Sequence, residues 1–161
     1  MILVALGANL PSNAGTPAQT LRASLAMLYE NAARAVSVSS FYASPAWPDA
    51  SDPPFVNAVA KLETKLSPAA LMKLLAEIEN RFGRIRSARN APRTLDLDLL
   101  DYGGRIEAGP PVLPHPRMES RDFVLVPLRE IAPEWRHPVS EKSVEALIAA
   151  LPAISVDKLG P

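Results

Sequence analysis

The chain has 161 residues, with 17 Lys and Arg against 17 Asp and Glu, for a formal net charge of +0. This length suits one domain with a single core, and the balanced charge supplies no global field for nucleic acid or an anionic membrane. There is no cysteine, which excludes disulfides and thiolate–metal frameworks. The opening M-I-L-V-A-L-G has no basic region and too short an apolar run for a signal peptide or a membrane span, so a cytoplasmic protein is expected.

Met1–Leu6 is a continuous apolar run closed by Gly7, as in a strand buried on both faces. Thr16-Pro17-Ala18-Gln19 reads as a helix start, with Thr at the cap, Pro at the first position and Gln three after the cap. Leu21, Leu25 and Leu28 keep one helical face apolar to about Ala33. Ala35–Tyr42 alternates well enough for a second strand, with Val36 and Val38 on one face. Pro45, Pro48, Pro53 and Pro54 make Ala43–Pro54 a long loop, of a length that is often functional. Phe55–Thr64 is the third strand, with Phe55 and Asn57 on the same face. Ser67-Pro68 opens a second helix whose Leu71, Leu74, Leu75, Ile78 and Phe82 form a core stripe, and Gly83 ends it.

An irregular, arginine-bearing segment then leads into a fourth strand, Thr94–Tyr102. The order β-α-β-β-α-β predicts an α+β fold of the ferredoxin-like kind, with an antiparallel sheet carrying helices on one face. Beyond it, Gly103-Gly104 predicts a C-terminal hairpin turning toward Arg105–Ile106. A proline-rich turn around His115 and short helices near Arg121–Ala132 and Ser143–Leu151 follow. No repeat or linker interrupts the chain, so residues 1–161 read as one domain. Such a fold hosts many functions and names none.

Chemistry concentrates between Gly83 and Asp101. Arg84, Arg86, Arg89 and Arg93 crowd a segment closed by Pro92, and the strand after it alternates Leu95, Leu97 and Leu99 with Asp96 and Asp98. The leucines share one face and the aspartates the other, with the aspartate Cα atoms roughly 6.6 Å apart. Adjacent carboxylates repel unless one is protonated or both share a cation. A hard ion such as Mg²⁺, completed by substrate phosphates, suits two carboxylates, and the arginines suit the phosphates. An edge strand with solvated aspartates beside a basic loop has the same short pattern. The proline-stopped arginine cluster favours the magnesium–polyphosphate site. Neither G-x-x-x-x-G-K-[ST] nor G-x-G-x-x-G occurs, so arginine and magnesium must replace the usual phosphate loop. In that arrangement Arg84 and Arg93 stabilise the transferring group while Arg86 and Arg89 capture the nucleotide.

The string A-P-R-T-L-D-L-D-L from Ala91 closely resembles the signature of the 6-hydroxymethyl-7,8-dihydropterin pyrophosphokinase family of the folate pathway. The resemblance covers nearly the whole chain, through L-G-A-N-L at Leu6–Leu10, S-S-F-Y at Ser39–Tyr42, F-V-N-A-V at Phe55–Val59, E-x-x-x-G-R at Glu79–Arg84, P-H-P at Pro114–Pro116 and R-x-F at Arg121–Phe123. It implies transfer of pyrophosphate from ATP to the pterin hydroxymethyl group, with AMP leaving. It also implies two Mg²⁺ ions on Asp96 and Asp98, with Arg84 and Arg93 catalytic beside them. On the nucleotide side it implies Glu79, Arg86, Arg89, Leu99, His115 and Arg121. On the pterin side it implies a sandwich between Phe55 and Phe123, reading of the ring by Asn57, and contacts from Ser44, Pro45 and Trp47. His137 has no such context and reads as structural.

The chain departs from the family where Asn90 replaces a common tryptophan, in a loop one residue shorter, and where Pro116 replaces an aromatic. The expected partners are small molecules, with no nucleic acid or membrane, and the expected state is a monomer. Two other readings of the residues stay open here: a noncatalytic ferredoxin-like module using its arginines as an anion patch, and a different ATP-dependent transferase acting on another planar acceptor.

Overall fold

The computed structural model describes residues 1–85 and 90–161. The first apolar run forms β1 (Ile2–Ala8), nearly all of it buried. A capping box starts α1 (Pro17–Glu30): Thr16 Oγ1 accepts from the Gln19 amide and Gln19 Oε1 from the Thr16 amide. The helix stops short of the expected Ala33, because Ala33 already belongs to β2 (Ala33–Val38).

The single second strand expected over Ala35–Tyr42 is two strands. β2 and β3 (Tyr42–Ser44) pair with opposite halves of the long strand β4 (Phe55–Thr64). Ser39 bridges the break, its amide donating to Val59 O (2.9 Å) and its Oγ accepting from the Val59 amide (3.0 Å). A bulge between Ala35 and Ser37 displaces Val36, and both Val36 and Val38 are exposed rather than core.

Ser67 Oγ caps α2 (Pro68–Arg81), and Gly83 adopts φ +76° just beyond it, a left-handed geometry that favours glycine. The metal-strand candidate is β5 (Asp96–Tyr102), which begins two residues later than the alternation suggests. A two-residue strand, β6 (Asp157–Lys158), was not legible in the sequence. The antiparallel sheet runs β5-β1-β4-β3-β6, with β2 also on β4. Taking β2 and β3 together, this is the ferredoxin-like order.

Both faces of the sheet are covered. On one, α1 and α2 close over Val4, Leu6, Leu97 and Leu99 with Leu21, Leu28, Leu71, Leu75 and Ile78, each such side chain contributing roughly 1.5–3 kcal/mol on burial. On the other, α3 (Asp122–Ile131) and α4 (Val144–Ala149) bury Leu3, Val59 and Leu100 against Val124, Leu125, Leu128 and Trp135. The aspartate face of β5 is a cleft, where the α3 covering stops.

A β-bulge in β5 pairs Val4 with Leu99 but Leu3 with Asp101, so Leu100 and Asp101 serve the same second face. Asp101 is only 2 % exposed; its Oδ2 accepts from Trp135 Nε1 (2.8 Å) and its Oδ1 from the Gly104 amide (2.9 Å). Gly103 and Gly104 do form the expected turn, both at positive φ. Arg105 and Ile106 nevertheless do not return as a strand on β5; the segment closes by a single bridge, Glu107 to Leu113. No described helix is long and apolar enough to cross a membrane.

Candidate active site

At the uncovered end of the second face lies a cavity of about 510 Å³. Its floor is a register row crossing four strands: Asp96 opposite Gly7, Gly7 opposite Asn57, Asn57 opposite Tyr42. The next row sets Asp98 opposite Ala5. Directly opposed residues share a face, so the carboxylates of β5 and the amide of β4 look into one space. Gly7 keeps that floor low: a Cβ there would meet Asn57 Oδ1 at 3.3 Å and the Phe55 ring at 3.9 Å. Ser44, Pro45 and Trp47, on and after β3, form one wall, and Phe55 and Phe123 add aromatic surface. Trp47 is 73 % exposed, at the rim.

The two aspartates stand in different surroundings. Asp96 is held on both oxygens, Oδ1 by Arg84 Nη1 (2.8 Å) and Oδ2 by Arg93 Nη1 (3.0 Å). Arg84 also donates to Leu95 O (2.9 Å) and lies 3.7 Å from Glu79. Glu79, at the end of α2, is buried and accepts from the Leu97 amide (3.1 Å), tying the helix to β5. Among the described residues Asp98 has looser neighbours, the Arg121 guanidinium (Nη1 at 3.8 Å) and the His115 imidazole (Nε2 at 4.0 Å). Burial, then the charge of Asp96, pushes the Asp98 carboxyl up to about 6 even though Arg121, Arg93 and Arg84 pull the other way. Burial and then Arg121 hold His115 below its ordinary value. A half-buried carboxylate pair with one member so raised is short of positive charge.

On the other side, Asn57 is 4 % exposed and donates from Nδ2 to Ser44 Oγ (2.8 Å) and, more weakly, to Tyr42 O (3.4 Å). Its Oδ1 has no protein partner among the described residues. The guanidinium of Arg121 lies 5.5 Å from the Phe123 ring centroid, so this corner of α3 spans both halves of the cavity.

Of the residues singled out in the sequence, Ser44, Pro45, Trp47, Phe55, Asn57, Arg93, Asp96, Asp98, Arg121 and Phe123 line the cavity. Arg84, Glu79 and His115 stand behind Asp96 and Asp98. Leu99 is different: its side chain lies in the core beneath α1 and α2, on the opposite face from Asp98. Arg86 and Arg89 lie outside the described residues. His137 is buried between Trp135 and the backbone of Val139 and Ser140.

Sequence reasoning passed over Asn9, although it sits in the quoted L-G-A-N-L. It is buried; its Oδ1 accepts from the Arg93 amide (2.8 Å), its amide donates to Arg93 O (3.1 Å), and its Nδ2 donates to Pro53 O (3.0 Å). One side chain thus fixes the ends of both flanking loops. A polar residue closing an apolar strand was the available signal. Asn90, which stands where the family commonly has a tryptophan, also lines the cavity, as do Arg117 and Ser120, which had been given no such place.

Known proteins match this chain closely. Residues 3–133 fit the family model described as 7,8-dihydro-6-hydroxymethylpterin-pyrophosphokinase. Proteins named 2-amino-4-hydroxy-6-hydroxymethyldihydropteridine pyrophosphokinase are similar from Haemophilus influenzae (44 % identical over 140 residues, 86 % of this chain and 85 % of that one) and Pseudomonas aeruginosa (39 % over 160 residues, 98 % and 96 %). One of the same name from Synechocystis is 44 % identical over 124 residues, covering 76 % of this chain but only 63 % of the longer relative. The HPPK-DHPS protein of Plasmodium falciparum superposes with a TM-score of 0.71 over 92 % of this chain and 40 % of its own, at 13 % identity, a likeness of fold. The family model's span and the two full-length relatives together decide the matter: the chain belongs to the 7,8-dihydro-6-hydroxymethylpterin-pyrophosphokinase family.

Proposed function

We propose that this protein transfers pyrophosphate from ATP to the hydroxymethyl group of 6-hydroxymethyl-7,8-dihydropterin, in the cytoplasm and as a monomer acting alone on small molecules. The observation that carries the reading is the register row joining Asp96 to Asn57 through Gly7. It puts a carboxylate–arginine centre and an aromatic, amide-bearing pocket in one cavity, as a reaction between a polyphosphate and a flat ring requires.

In this reading the ring stacks between Phe55 and Phe123, and Asn57 Oδ1 accepts from a ring N–H while Ser44 holds the amide's other end. Stacking on an aromatic is worth about 1–3 kcal/mol for a comparable base. The pterin hydroxyl oxygen attacks the β-phosphorus. A new O–P bond forms, the bond from that phosphorus to the α-phosphate oxygen breaks, AMP leaves with the electron pair, and the hydroxyl proton passes to water. No dedicated base is needed, since such transfer depends mainly on positioning and charge.

Asp96 and Asp98 fit Mg²⁺: both are hard oxygen donors on one face, and the raised Asp98 signals missing positive charge. Two carboxylates leave most of the coordination of such an ion to substrate phosphates and water. Bound there, two Mg²⁺ ions would neutralise charge on the phosphate oxygens. Arg84 and Arg93 now occupy both oxygens of Asp96. Turning them onto the incoming phosphates would free that carboxylate for the cation, and Arg121 and His115 would meet phosphate oxygens beside Asp98. Arg86, Arg89 and Glu79 belong to the nucleotide side of this scheme.

Calorimetry with Mg²⁺-ATP analogue and pterin, singly and together, tests the reading. Binding of both, each strengthening the other, is expected. Nucleotide binding alone would indicate a different acceptor, and binding of neither a noncatalytic module.

A further inference from the structure

The family match ends at residue 133, yet the chain comes back after it to two elements that wall the cavity, β3 and the start of α3. Asp122, at the start of α3 between Arg121 and Phe123, accepts at Oδ2 from both the amide (2.7 Å) and Oγ (2.8 Å) of Ser155. From there the chain pairs as β6 along the outer edge of β3, Ala43 opposite Asp157 and Tyr42 opposite Lys158, and the Leu159 amide donates to Phe41 O (2.8 Å). Glu130 of α3 closes the loop between these elements: it accepts from Tyr42 Oη (2.6 Å) and from Ser40, and lies 3.8 Å from Lys158 Nζ. The two anchors of the segment are the two supports of one half of the cavity. β3 carries Ser44, which holds Asn57, and Asp122 adjoins Phe123.

We propose that Ser155–Leu159 is a strap that positions the ring-binding half of the cavity, setting the spacing between the β3 wall and the Phe123 corner. The inference rests on the pterin assignment above. Sheet order makes the β3 anchor one-sided. β6 and β3 lie at one end of the path and β5, with Asp96 and Asp98, at the other, with β1 and β4 between them. Releasing the strap therefore loosens ring binding most, and reaches the nucleotide centre only through Arg121, beside the Asp122 anchor. An edge strand left open would also expose unpaired amides, but that role alone predicts no difference between the two ligands.

Ser155→Pro together with Leu159→Pro in the full chain removes the amide donors to Asp122 and Phe41. Ser155→Thr with Leu159→Ala keeps them. The parent, the double-proline variant and the control are titrated by calorimetry with the pterin and with Mg²⁺ and a nonhydrolysable ATP analogue, and their thermal midpoints recorded. The double-proline variant should bind the pterin about tenfold more weakly, bind the nucleotide within about twofold of the parent, and show the higher KM for pterin only; the control should behave as the parent. Equal weakening of both ligands, or a lowered midpoint with unchanged pterin affinity, would overturn the strap. A parent that binds nucleotide but no pterin would instead remove the pterin assignment and the strap with it.

Discussion

At the scale of single residues, the site is built on an imbalance between Asp96 and Asp98. Two arginines hold Asp96 at 2.8 and 3.0 Å, whereas among the described residues the basic groups nearest Asp98, Arg121 and His115, stand at 3.8 and 4.0 Å, beyond hydrogen-bond reach. Burial without close compensation is costly for a carboxylate, so Asp98 adds little to the stability of the fold as it stands. Asp98→Asn should therefore leave the thermal midpoint no lower than the parent's, because it removes repulsion with Asp96. Turnover should fall at least about a hundredfold, the scale of losing one charge-stabilising group. Parallel thermal melts and initial rates check this; near-parental turnover would remove Asp98 from the chemistry.

At the scale of elements, the cavity depends on how β3 is held, and the Tyr42–Glu130 contact is the measurable part of that. Burial, and then the Glu130 hydrogen bond, pushes the Tyr42 hydroxyl up to about 12. Burial pushes Glu130 up as well, but hydrogen bonds from Tyr42 and Ser40 outweigh it and hold that carboxyl below its ordinary range. The signs follow from linkage. The raised Tyr42 contributes stability that is complete below its unfolded value near 10 and is lost as pH rises toward about 12. The lowered Glu130 contributes stability present above the ordinary carboxylate range and lost on acidification through its lowered value. Glu130→Gln should bring the last tyrosine titration down while leaving it above 10, burial being the larger cause, and cost about 1 kcal/mol at neutral pH for this partly exposed group. Spectrophotometric titration and denaturant melts measure both.

The elements also show what a sequence displays and what it hides. The capping box at Thr16, the stripe on α2 and the alternation around Asp96 are local patterns, and each appears where its residues predict it. The split of the second strand was hidden because Ser39, which bridges it, acts through Val59 on another strand. The failed hairpin after Gly103-Gly104 has a similar cause: Asp101 is turned inward by a bulge and held by Trp135, a partner far along the chain. In the cavity, residue types and their faces were legible, so Phe55, Asn57 and the aspartates were within reach. Asn9 was signalled only as a polar residue closing an apolar strand, since its importance lies in contacts to Arg93 and Pro53 that no spacing reveals. Leu99 differs from its neighbour Asp98 in face: strand alternation turns its side chain into the opposite core.

At the scale of the whole molecule, one sheet brings two chemistries together. Its β5 end carries carboxylates and arginines, its β3 end an aromatic and amide pocket, and the α3 corner with Arg121 and Phe123 closes over both. Geometry of this kind supports transfer between a polyphosphate and a ring, and the claim that matters most is which phosphorus is attacked. Phosphorus NMR of the protein incubated with Mg²⁺, ATP and 6-hydroxymethyl-7,8-dihydropterin answers that in a single experiment. The account predicts AMP and a pterin diphosphate appearing in equal amounts, with no ADP. ADP accompanied by a pterin monophosphate, or ATP consumption that does not depend on the pterin, would contradict it.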